Sequence, residues 1–295
     1  RNVSTGSRSL ESGYPSPVFV TFAILSAVTY GAADFLGGMA SKRHQAMGVV
    51  VVSQMVGAVL LLALLPVLGP EEYRLADFGW GAAAGLIGGT GLIFFYRGLS
   101  TGRMSVAAPL SAVTTALVPL TFGLFIGERP STAATIGIVA ALSSIALITR
   151  ERTPDEGETR NTGALDGFLA GIGFGAFFIL ISRTDPTSGI WPLIGARAAS
   201  IPFVAILAAS LGRRIRPARI LDKTVAGAGV LDIAANALFL LAVRAGLISL
   251  ASVVTALYPA STIVLARVVL KERLTAPRLA GVALALAGIA LIATG

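Results

Sequence analysis

Residues 128–148 read ERPSTAATIGIVAALSSIALI, and residues 272–292 read ERLTAPRLAGVALALAGIALI. Both stretches open on Glu-Arg and close on Ile-Ala-Leu-Ile, at a constant offset of 144 residues. The same offset carries Gly31 to Gly175, Gly85 to Gly229, Phe95 to Phe239, Gly102 to Gly246 and Ser105 to Ser249. The second half of the chain therefore repeats the first. Internal repeats in a strongly apolar chain most often build two-sided devices that pass a solute between compartments. That makes transport the reading against which others are weighed.

The 295 residues are 55% hydrophobic and 13% charged, with a mean hydropathy of +0.81. That is too apolar for a water-soluble domain of this length. A membrane-spanning helix needs roughly 20 mostly apolar residues, and ten such runs can be marked: 18–40, 46–68, 78–96, 104–126, 132–149, 164–182, 189–211, 224–243, 248–270 and 276–294. The runs are long and lack strict alternation, so helices satisfy their backbone groups where a barrel would not. The expected fold is an all-α integral membrane protein whose ten transmembrane helices form two inverted five-helix repeats. An odd number of crossings per repeat requires the inversion. Residues 18–149 form the first repeat and 164–295 the second, with a charged, Gly/Pro/Thr-containing linker over 150–163 and a polar tail over 1–17.

Charge and cysteine content remove several classes. The net charge of +8 is spread over short loops between apolar runs, a pattern that orients a membrane protein and gives no platform for nucleic acid. Lys and Arg concentrate in the odd-numbered loops, led by Arg213, Arg214, Arg216, Arg219 and Lys223. The positive-inside rule then places both termini outside the cytoplasm. With no cysteine and one histidine, His44, the chain lacks thiolate and ordinary zinc sites, and no cofactor is expected. Gly98-Leu99-Ser100-Thr101-Gly102 matches a nucleophile-elbow spacing, but it follows a membrane helix and has no histidine base, so the chain is not read as an enzyme. A scaffold or sensor would carry a soluble domain, and a channel would show a filter-like repeat or a ring of charge.

Several elements recur in register in both halves. Tyr30-Gly31 pairs with Phe174-Gly175, Tyr96-Arg97-Gly98-Leu99 with Leu240-Leu241-Ala242-Val243-Arg244, and Gly127-Glu128-Arg129 with Lys271-Glu272-Arg273. On these, the chain resembles the EamA-type members of the drug/metabolite transporter superfamily over about residues 18 to 294. The resemblance implies two five-helix repeats around a central cavity that opens alternately to each side, with exporters of amino acids, other metabolites and drugs among the members. It implies a multi-pass protein of the cell membrane, and the Ala, Gly and Arg richness suggests a bacterial source. One departure is Ala33-Asp34-Phe35-Leu36-Gly37-Gly38, which puts an acid in the first helix where family members more often have an uncharged residue.

An ionisable group in a membrane span costs on the order of 2.5–3.5 kcal/mol on insertion scales, so it is a functional candidate by default. Asp34, Arg197 and Asp232 qualify, with Asn236 one turn beyond Asp232. Scaffold positions should match between repeats, whereas one asymmetric site need not. Asp34 corresponds to Phe178, Arg197 to Ser53 and Asp232 to Gly88. Asp34 is the expected coupling residue for protons. Arg197, Asp232 and Asn236 are expected to contact polar groups of a small-molecule substrate, Tyr30 and Tyr258 to supply stacking surface, and Gln54, Thr114 and Thr115 to stand behind them. The structural alternatives are an Arg197 ion pair with Asp34 or Asp232 and an interhelical hydrogen bond at Asn236. Pro119 and Pro259 should kink the fourth and ninth helices, and Arg267 should snorkel. Glu128, Arg129, Glu272 and Arg273 read as loop charges that favour helix N-termini or gate the two mouths. Glycines at four-residue spacing, Gly81, Gly85 and Gly89 and also Gly167, Gly171 and Gly175, allow close helix approach.

Overall fold

A computed structural model describes residues 17–41, 43–101, 104–149, 162–269, 271 and 275–294. The polar tail, most of the linker, Glu272 and Arg273 lie outside the described residues. The remainder is helical: α1 (Pro17–Ser41), α2 (Ala46–Leu68), α3 (Leu75–Thr101), α4 (Met104–Phe125), α5 (Thr132–Thr149), α6 (Thr162–Ser182), α7 (Trp191–Ser210), the single turn α8 (Pro217–Ile220), α9 (Lys223–Ala245), α10 (Ile248–Thr255), α11 (Tyr258–Val269) and α12 (Ala276–Thr294). Among the described residues no strand occurs. Eight helical stretches are long and apolar enough to cross a membrane, counting Ile248–Val269 as one, and Leu110–Phe125 and Thr132–Ile148 are shorter apolar helices.

The ninth apolar run is broken where the sequence leads one to expect a kink. Pro259 has no N–H to give the carbonyl of Thr255. The chain instead tightens, with Ala256 N donating to Ser252 O at 2.9 Å and Leu257 N to Val254 O at 3.2 Å, before α11 restarts at Tyr258. Pro119 causes no such interruption: α4 runs through it. It packs where Gly175 of α6 leaves room, since a Cβ there would lie 3.1 Å from Pro119 Cδ and 2.6 Å from Val118 Cβ.

The two sequence repeats do not fold as two separate bodies. Their helices interleave: α1 packs on α9, α3 on α6 and α7, α4 on α6, and α5 on α12. The glycine spacing explains the closeness of these crossings. The Gly81 and Gly85 positions of α3 lie against the backbone of Pro192 and Ala196 in α7, and Gly171 of α6 lies 2.6 Å from Ser111 O for an added Cβ. Gly31 and Gly175, equivalent in the repeat, do the same job with exchanged partners. A Cβ on Gly31 would lie 2.5 Å from Tyr258 O in α11. These are packing roles, with backbones brought together where any side chain would hold them apart.

Candidate functional site

α1, α7, α9 and the α10–α11 break bring the polar candidates together. Arg197 of α7 is buried, and its guanidinium donates to the carboxylate of Asp232 on α9. The ion-pair alternative is thus realised with Asp232 and not with Asp34. Asn236, one turn on, donates its Nδ2 to the Asp232 carbonyl at 2.8 Å and reaches Oδ1 at 3.5 Å. It orients the acid from its own helix and makes no interhelical bond among the described residues. Ser200, on the next turn of α7, donates to Gln54 Oε1 of α2 at 2.7 Å. The Nε of Arg197 is buried without a hydrogen-bond partner, so the pair is not fully satisfied. Breaking such a pair by removing one member leaves an uncompensated charge, which costs more than the intact pair gains.

Asp34 behaves differently. No hydrogen bond or ion pair joins it to another described residue. It is exposed, with no neighbour packed over its carboxylate. Asp34 lies within electrostatic reach of Asp232 and Tyr258, and the Tyr30 hydroxyl within reach of Asp232, Arg197 and Asp34. The rings of Tyr30 and Tyr258 are 6.4 Å apart, and Tyr30 lies 6.3 Å from Phe178. Phe178, the repeat equivalent of Asp34, is buried and stacks on Phe239 at 4.0 Å. Two equivalent positions therefore carry opposite chemistry: an exposed acid with no partner among the described residues, and an aromatic ring in the core. The next turn of α1 is open as well, since a Cβ at Gly37 or Gly38 would meet nothing within 4 Å.

The remaining candidates scatter. Thr115 returns its hydroxyl to Ser111 O at 2.8 Å within α4, and Thr114 packs on Gly171. Glu128 does sit at a helix N-terminus, but at that of α10 in the other repeat. Its two carboxylate oxygens accept from Ile248 N at 2.8 Å and Ser249 N at 2.9 Å, groups that no helical carbonyl can reach. Arg129 closes α4 through the carbonyls of Leu124 and Glu128.

Sequence reasoning missed three acids that join the repeats. Asp166, buried in α6, binds Arg97 of α3 in a two-pronged ion pair. Asp77, buried in the first turn of α3, accepts from Ser188 Oγ and, at 3.2 Å, from Asp185 N. Asp222 caps α9 through Thr224 N and Val225 N, both at 2.8 Å, and pairs with Arg43 and His44 beyond α1. The Asp222-Lys-Thr start was legible as a cap. The partners, distant in sequence, were not.

The model of the EamA-like transporter family matches residues 18–150 and again 161–294. This chain belongs to that family. Among curated proteins none matches it. One solved crystal structure superposes with a TM-score of 0.74 at 18% identity, covering 92% of this chain and 95% of the other. At that identity the likeness speaks for the fold alone.

Proposed function

We propose that this family member is a secondary active carrier that crosses the membrane ten times as two inverted five-helix repeats. It exports a small metabolite or drug by alternating access, with inward proton movement as the coupled step. Asp34 carries the reading. It is a carboxylate with no hydrogen-bond or ion-pair partner among the described residues, exposed on a membrane-spanning helix, and such groups mark ion and proton pathways. A proton can join or leave it without breaking a salt bridge. The Arg197–Asp232 pair, oriented by Asn236 and flanked by Gln54, offers the substrate a dipolar contact, and Tyr30 and Tyr258 offer ring faces.

Interleaving bears on how access alternates. Rocking one sequence repeat against the other as a rigid block would tear apart α1 from α9 and α3 from α6. The moving bodies in this proposal are mixed, each drawing helices from both repeats, with the α10–α11 break and the glycine-faced crossings as the places that give.

The test is proton flux in proteoliposomes containing a pH-sensitive dye, challenged with a panel of metabolites and drugs. Wild-type protein should give a saturable, compound-dependent signal. Asp34→Asn, close in size, should abolish that signal while retaining exchange of the same compound. Proton-coupled accumulation unchanged in Asp34→Asn would overturn the coupling role. Exchange without any proton movement in the wild type would make the protein an uncoupled exchanger.

A further inference from the structure

Two grooves lie away from Asp34, between α2 and α7. One, of about 880 Å³, is floored by Val51 and Met55 of α2 and Ile201, Ala205 and Ala209 of α7. The second, of about 370 Å³, continues from the shared Ile201 past Ala58 and Leu62 to Ile194 and Arg197. Sharing Ile201 along the same α2–α7 seam, they read as one crevice. From Ala209 to Ile194 it follows 15 residues of helix, about 22 Å at 1.5 Å per residue. That exceeds half of the roughly 30 Å hydrocarbon core, so the crevice can hold an acyl chain across one leaflet.

The end of α7 decides what stands at its mouth. Gly212 takes a left-handed conformation with φ +70°. Arg213 N donates to Ala208 O at 2.8 Å and Gly212 N to Ala209 O at 2.9 Å, the paired bonds that terminate a helix and reverse the chain. Only glycine adopts that backbone without strain. The reversal lays Arg213, Arg214 and Arg216 on the rim of the crevice. All three are exposed and make no ion pair among the described residues. The nearest acid in sequence, Asp222, is already engaged by Arg43 and His44. The crevice lining contains no carboxylate.

We infer that the α2–α7 crevice binds an anionic phospholipid, with one acyl chain along Val51, Met55, Ile201 and Ala205 and the headgroup phosphate held by Arg213, Arg214 and Arg216. An apolar slot alone would accept any lipid. Three guanidinium groups at its mouth supply the charge selectivity, because arginine matches phosphate with paired donors and the leaflet facing an arginine-rich end is the one rich in anionic lipid. This site is separate from Asp34, and its existence does not depend on which solute is carried.

The test uses the purified full-length protein in detergent, with bound lipid read by native mass spectrometry and thermal stability by unfolding midpoint. Phosphatidylglycerol and phosphatidylcholine with identical chains are added separately. Retention of phosphatidylglycerol should exceed that of phosphatidylcholine by about fivefold or more, the factor expected from even one arginine near an anionic surface. Arg213→Gln/Arg214→Gln/Arg216→Gln should bring the two lipids to parity. Ala205→Phe, which fills the slot, should reduce retention of both. Should the triple variant fail to fold, the wild type in high salt answers the same question, because screening should erase the preference. Equal retention in the wild type, or a preference that survives the triple variant or high salt, would overturn the inference. So would inorganic phosphate reproducing the full stabilisation, since that would make this a small-anion site.

Discussion

The two ends of the bundle are built on one plan and finished in different materials. At each end an acid near the start of a third helix grips the connection between the first and second helices of the other repeat. Asp77 of α3 holds the α6–α7 connection, and Asp222 at α9 holds the α1–α2 connection. At the Asp77 end the acid itself is buried and the connection is stitched by backbone, with Glu71 N donating to Thr187 O at 3.0 Å and Ile190 N to Leu68 O at 3.3 Å, beside an exposed Arg74–Asp185 pair. Arg244 adds bonds to the carbonyls of Asp185 and Gly189, both at 3.1 Å. At the Asp222 end the contacts are solvent-reached ion pairs: Arg43 is 54% exposed and Asp222 32%. The apolar cluster beside it is small, with Ala40, Val49, Val52, Ile220 and Val225 as its buried members. Each repeat places its closing acid near the start of its third helix, one residue out of the 144 register, and the strength of each closure is set by how far it is removed from water.

Cutting both grips should separate the two ends most sharply. Asp77→Ala leaves the buried Ser188 hydroxyl and the Asp185 amide without their acceptor, at roughly 1–3 kcal/mol for each group stranded. Asp222→Ala loses a helix cap and exposed ion pairs and should cost about 1 kcal/mol. Unfolding midpoints in detergent should therefore fall further for Asp77→Ala. Equal losses would mean that burial does not distinguish the ends.

Access offers a finer probe. The 295 residues contain no cysteine, so a single introduced thiol reports without background. Gly38→Cys, facing open space on α1, should react with a water-soluble thiol reagent faster than Ser182→Cys at the equivalent place on α6, whose hydroxyl bonds Ile179 O at 2.7 Å. The reverse order would show the space closed along α1 and open beside the Asp77 end.

Acid should have the smallest effect within the working range. The side-chain and backbone bonds from Thr187 hold the Asp185 carboxyl below its ordinary value, helped by Arg74. The amide of Val225, with Thr224 and the Arg43 charge, does the same for Asp222. For a carboxyl whose folded value is depressed, the stabilisation is complete above its unfolded value and is lost as pH falls through the folded one. Thermal stability of Asp185→Asn should thus differ from wild type by a constant amount from pH 8 to about 5, converging with it only in stronger acid. A gap that closes near neutral pH would contradict this sign.

Much of the protein was legible in its sequence. The apolar runs located the helices, because twenty residues without water must close their own hydrogen bonds. The offset of 144 exposed the duplication, and mid-span charge singled out Asp34, Arg197 and Asp232. The cap at Asp222 could be read from Asp-Lys-Thr alone. Tertiary structure decided who pairs with whom. It gave Arg197 to Asp232 and left Asp34 exposed, sent Glu128 across to α10, and interleaved two repeats that are contiguous in sequence. Helix formation depends on neighbours along the chain, which sequence displays. Ion pairing, capping between helices and the shape of a cavity depend on which helix faces meet, and in an almost uniformly apolar chain the sequence pattern marks those faces only faintly.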